Sequence, residues 1–214
     1  SDLSHLLFRL APAKHRNLLF SLKQTAVPIG GVIAGLLLPA LTAASGWRSA
    51  LLACAGLTVA LFLVLNRYRQ RFDRDRSPSR PLMQSIQYGL RVLFRRKELL
   101  RLSVMAFCFS ATQLSLMSFA VSLLVQDLGK SLIIAGTVVS LVQGCGAGGR
   151  ILWGIIADRF GAGIPVLVGI GILSTLASLG VAVVNERWPF AAVIALLCVY
   201  GACSIGWNGV FLAE

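Results

Sequence analysis

Residues 132–161 read LIIAGTVVSLVQGCGAGGRILWGIIADRFG. From Leu132 to Ala157 the run is dominated by apolar and small residues, and at 1.5 Å per residue it covers about 39 Å, enough to cross about 30 Å of hydrocarbon. Its small residues are ordered. Gly136, Ser140, Gly144 and Gly148 recur every fourth position, one smooth stripe along a helix. Helices in lipid gain little from burying apolar groups against each other, so close approach through small residues has to supply the packing. The stretch reads as a membrane-spanning helix with a groove for a neighbour.

The rest of the chain repeats that character. Of 214 residues, 57% are hydrophobic and 13% charged, with a mean hydropathy of +0.80; a soluble domain carries about 25% charged residues. Five further apolar runs are long enough to span: 22–45, 49–66, 102–125, 164–184 and 190–213. The fold class is therefore all-α, a polytopic transmembrane bundle of six spans, and a large soluble catalytic domain is excluded. The first span carries Gly31 and Gly35 at the same four-residue spacing, flanked by Pro28 and Pro39. The two glycine stripes fit either a sliding or rocking seam or a static packing groove.

Most connections are very short, so consecutive helices should be antiparallel neighbours. The exception runs from Arg67 to Arg101 and opens with RYRQRFDRDRSPSRP, which cannot bury apolar surface. From Leu82, apolar Ile86, Leu90, Leu93 and Phe94 recur at helical spacing with Arg91, Arg95, Arg96 and Lys97 on other faces. That pattern fits a basic amphipathic helix on a membrane surface, or equally a solvated helix leading into the third span. The expected organisation is a cytoplasmic leader (1–21), a helix pair (22–66), a central loop (67–101) and a four-helix segment (102–214).

Orientation follows from the bases, because cytoplasmic loops retain Lys and Arg. Of the 20 Lys and Arg, 17 fall on the side of the leader, the long loop and the 158–163 turn; only Arg48, Lys130 and Arg187 fall on the other. Both ends and the long loop are thus expected in the cytoplasm, where the loop can touch anionic headgroups. The net charge of +12 is explained this way without nucleic acid, which is not an expected partner. The five cysteines (Cys54, Cys108, Cys145, Cys198 and Cys203) lie inside apolar runs with no C-x-x-C spacing and read as structural. His5 and His15, the only histidines, lie in the leader, so no intramembrane Ser-His pair or metal cluster can be assembled. No enzyme, metal or cofactor is expected.

Short hairpins around one long basic loop, with Gly154-Ile155-Ile156-Ala157-Asp158-Arg159-Phe160-Gly161 at the cytoplasmic end of the fourth span, resemble the major facilitator superfamily of secondary transporters, bacterial type. The octapeptide is similar to that family's signature G-x-L-A-D-R-x-G between its eighth and ninth helices. Ala162 and Gly163 stand where the family usually continues with basic residues. Lys23-Gln24-Thr25, then Pro28, Gly30, Gly31 and Gly35, with Gly46-Trp47-Arg48 after the span, also resemble the family's fifth helix and following turn. The resemblance implies a partial form of that fold, the fifth to tenth of twelve helices. Such a chain is expected to be a piece of a bacterial inner-membrane protein, not competent alone, whose missing helices are partners together with the bilayer and a small-molecule substrate. A six-helix channel or a structural membrane protein is the alternative.

By that resemblance the first and fourth spans form the seam between halves, and the third and sixth line the cavity. Polar side chains within a span are costly and tend to face a cavity or a partner helix. The candidates are Gln113 with Ser110 in the third span, and Tyr200, Ser204, Trp207 and Asn208, which share a face of the sixth span by their three- and four-residue spacing. Each could instead bond a neighbouring helix. Gln143 is expected across the seam. Asp158 would form a cytoplasmic gate with the start of the first span, near Lys23, with Arg150 or Arg159 orienting it; a solvated Asp-Arg turn is the alternative. The topology is testable by single-cysteine labelling of the intact, otherwise cysteine-free protein on whole cells. An impermeant reagent should modify positions 48 and 187 and spare 74; the reverse pattern contradicts the orientation.

Overall fold

A computed structural model describes residues 22, 24–72, 91 and 94–213. The described elements are helical: α1 (Ala26–Ser45), α2 (Trp47–Phe72), α3 (Lys97–Ser122) continued by a π-helical turn (Leu123–Asp127), α4 (Leu132–Phe160), α5 (Gly163–Ala182), α6 (Phe190–Ser204) and α7 (Asn208–Ala213). Among the described residues, six stretches are long and apolar enough to cross a membrane, α6 and α7 forming one of them as Phe190–Leu212. The leader and most of the amphipathic segment after Leu82 lie outside the described residues. The described residues divide into two compact units, one reaching Pro39 and resuming at Phe107, the other running from Ala40 to Ala106.

In the Ala40–Ala106 unit, Gly46 turns the chain between α1 and α2 with φ +81°, a left-handed conformation open to glycine. Ser49 Oγ lies 2.8 Å from Ser45 O and 2.6 Å from Gly46 O and shares its single proton between these carbonyls at the end of α1. From Leu51 to Leu65 every side chain of α2 is exposed, Leu52 at 73%. A helix apolar on all faces belongs in lipid or among other membrane helices.

The larger unit is built around α4. Leu116, Ala120 and Leu124 from α3 and its π turn, Ala135, Val138 and Val142 from α4, Ala177 from α5, and Val193, Leu197, Tyr200 and Ile205 from α6 and just beyond make one buried cluster. The links that hold these helices antiparallel are short. After the π turn, Leu128 N–H donates to Leu123 O at 3.0 Å and Lys130 N–H to Leu124 O at 2.8 Å. Gly129 takes φ +62°, and Ser131 caps α4 by accepting from Ile134 N–H at 3.3 Å. At its other end α4 stops where Gly161 enters the left-handed region at φ +64°. Its 29 residues span about 43 Å. Asp158 and Arg159 consequently sit on the last turn of the helix rather than in a loop.

The largest departure from the sequence reading lies at the end of the chain. The continuous helix expected over 190–213 is interrupted at Ile205–Trp207. Around this break the backbones of α4 and α6 nearly touch. A methyl group at Gly146 would lie 2.7 Å from Ile205 Cβ, one at Gly149 2.9 Å from Ala202 Cα, and one at Gly201 2.8 Å from Val142 O. These glycines, rather than the 136–148 stripe, bring α6 onto α4. Inserting even one methyl there forces a backbone shift costing about 1–3 kcal/mol. Gly149→Ala should accordingly lower the melting temperature of the purified intact protein by several degrees. Gly169→Ala, where a methyl meets nothing within 4 Å, should be neutral or slightly stabilising; equal effects at the two positions would contradict the close approach.

Candidate functional site: a glycine seam and a broken helix

The first part of the site is the seam between α1 and α4. Pro39 has no N–H, so the carbonyl of Gly35 one turn earlier has no intrahelical donor. Gly136 lies against that exposed carbonyl, and a methyl there would come within 2.6 Å of Gly35 O and overlap the Pro39 ring. One turn on, Ser140 Oγ lies 3.0 Å from Val32 O and 2.9 Å from Gly136 O of its own helix, so its single proton is shared between the two helices. Gln143 packs across the seam over Gly31, and a methyl at Gly144 would touch Val32 at 3.9 Å. A methyl at Gly148 would meet no described atom within 4 Å. The observed contacts of the stripe therefore run through Gly136, Ser140 and Gly144.

The second part is the break after α6. Ala202 O and Ile205 O are left with reduced helical bonding there, and such groups cannot stay bare at membrane depth. Both are satisfied from α4: Trp153 Nε1–H donates to Ala202 O at 3.0 Å and Arg150 Nε–H to Ile205 O at 2.9 Å. Gly206 is the residue that permits this, because a side chain there would overlap Ala202 O and the Trp153 ring. Arg150, only 2% exposed, also donates through Nη1 to Gln24 O just before α1. An arginine counted by sequence as part of the cytoplasmic end is thus buried among three helices.

The third part is the face beyond the break. Trp207 stacks on Phe109 of α3 with ring centroids 5.1 Å apart and planes at 14°, and Phe211 meets it edge-on at 5.3 Å. Asn208 Nδ2–H donates to Gln113 Oε1 over a long 3.4 Å, joining two residues singled out for the cavity. Ser110 is half-buried on the same helix. Ser204 Oγ and Trp207 Nε1 are buried with no hydrogen-bond partner among the described residues, as is Ser174 Oγ of α5. Tyr200 does not join this face. The break ends the helical register that would have aligned it with Trp207 and Asn208, and it packs instead in the apolar cluster. There it lines a separate groove of about 320 Å³ between α3, α5 and α6, with Ser115, Ser122, Asp127 and Ser178 as its other polar residues.

Of the gate residues, Gly154 is buried, Asp158 half-buried and Arg159 exposed on the final turns of α4, with Gly161 capping it; Lys23 lies outside the described residues. Trp153, Gly206 and Phe109 were not legible as site residues. A Trp three residues from an intramembrane Arg on one helix face was the available signal.

A helical membrane protein with a glycine-packed seam and an interrupted helix over a polar face is the class this geometry defines. The Major Facilitator Superfamily model matches residues 4–213, and the chain belongs to that family. An uncharacterized MFS-type transporter of Bacillus subtilis (strain 168), YttB, is 40% identical over 74 residues, which is 35% of this chain and 18% of that relative's length. No solved structure matches. The family is one of transporters, not of enzymes.

Proposed function

We propose that the chain is the seam-forming part of a secondary transporter that moves a small solute by alternating access in a bacterial inner membrane, with its long basic loop and both ends in the cytoplasm. The observation that carries the reading is the hydroxyl and glycine packing of α1 on α4, because two helices joined through backbone and small side chains can separate and re-form without repacking large groups. Phe109, Gln113, Trp207 and Asn208 offer a flat aromatic surface and amide hydrogen bonds to a solute, with Ser110 and Ser204 beside them. Asp158, on the electronegative C-terminal turn of α4, docks on the amino-terminal end of the first helix when the cytoplasmic side is closed, with Arg159 near it. The intact protein includes further helices that complete the second half of the cavity.

A channel would need a permanent pore, which distinguishes the two readings experimentally. The intact protein with Gln113→Cys as its sole cysteine is reconstituted, and the cysteine is labelled with an impermeant maleimide from either face. A carrier should label from both faces, each slowly, and show no unitary currents in planar bilayers. Currents, or labelling confined to one face, would contradict alternating access.

A further inference from the structure

We propose that Arg150 couples the two ends of this site: it ties the closed α1/α4 seam to the break between α6 and α7, so that opening of one shifts the other. The inference rests on the carrier reading above. Arg150 is the one buried charged side chain among the described residues, and a cation at that depth is costly enough to mark a working position. Its bonded partners are neutral backbone carbonyls on two different elements, Ile205 O at the break and Gln24 O at the approach to α1. A planar guanidinium presents its donors in a fixed fork, so it holds both carbonyls in one mutual orientation; an ammonium on a flexible stem would not.

The geometry makes the two ends interdependent. When the cytoplasmic end of the seam opens, Gln24 O withdraws from Nη1, and a buried guanidinium N–H without an acceptor is expensive. Its other bonded carbonyl, Ile205 O, belongs to the break, where Ala202 O is already held by Trp153. Re-satisfying Arg150 therefore requires the Ile205–Trp207 turn to move. That turn carries Trp207 and Asn208, the groups stacked on Phe109 and bonded to Gln113. Coupling of this kind is reciprocal, so a change at the Trp207–Asn208 face must also bias the seam. Arg150 is thus a positioning residue that acts through backbone, and it need not touch solute.

The test reads seam opening without any solute. In the intact, otherwise cysteine-free protein, Ala157→Cys places a reporter at a position that is fully buried near the end of α4, and an impermeant maleimide is applied to the cytoplasmic face of inside-out vesicles. Arg150→Gln should raise the labelling rate about tenfold, in the usual range of coupling between sites. Arg150→Lys, which keeps the charge but not the fork, should raise it several-fold and carries the test if Arg150→Gln does not reach the membrane. Asn208→Ala, beyond the break, should change the rate at least about threefold when Arg150 is present and leave it unchanged in the Arg150→Gln background. Unchanged labelling in the Arg150 variants, or an Asn208→Ala effect of equal size in both backgrounds, would overturn the coupling. Asp158→Asn separates the two levels of the claim. If it raises labelling while the Arg150 variants do not, the coupler fails and the carrier stands; if neither does, the carrier reading fails with it.

Discussion

The structure of the larger unit depends on how closely the backbone of α4 is approached by its neighbours. In water, a helix packs by withdrawing large apolar side chains from solvent; in lipid that gain is absent, and contact distance becomes the main lever. α4 uses one face for each neighbour. Gly136 and Ser140 admit α1, with Ser140 Oγ reaching Val32 O at 3.0 Å, while Gly149 admits α6 until a single added methyl would strike its backbone, and Gly146 makes room for the Ile205 side chain. The seam and the break of this unit are both arranged around that doubly contacted helix.

Close contact also makes the break after α6 tolerable. An interrupted helix at membrane depth exposes carbonyls that nothing in the lipid can satisfy. Because α4 lies so near, Arg150 and Trp153 reach Ile205 O and Ala202 O directly, and Gly206 leaves room for the Trp ring. The same glycines that set the distance therefore permit a kink, and the kink turns Trp207 and Asn208 toward Phe109 and Gln113 on α3.

The fold was largely legible in the sequence because lipid leaves the backbone few choices. A run such as Leu132–Ala157 with turns marked by Gly129, Ser131 and Gly161 has to be a capped membrane helix, and the stripe through Gly136 and Ser140 did name the surface that meets α1. The site was only partly legible. Gln143 across the seam follows from counting faces on a regular helix, whereas Gln113 and Asn208 stand out only as polar residues within apolar spans, and their pairing has no pattern in the sequence. Tyr200 fails that count, since the register it shares with Trp207 exists only if the helix is continuous. The break itself is hidden: Gly206 looks like one more small residue, and the donors that compensate it stand about fifty positions earlier in the chain. Such long-range compensation leaves no local pattern.

The proposed transport cycle requires the α1/α4 seam to open and close, and a reversible cross-link across it reads that motion. Val32 and Gly144 face each other there, with a Cβ at Gly144 lying 3.9 Å from Val32. In the intact, otherwise cysteine-free transporter, Val32→Cys and Gly144→Cys should join on mild oxidation. Labelling of a third cysteine at position 157 from the cytoplasmic face should then cease, and it should return when the disulfide is reduced. Labelling that continues at the same rate in the fully cross-linked protein would show that the seam is static packing, and would contradict the account.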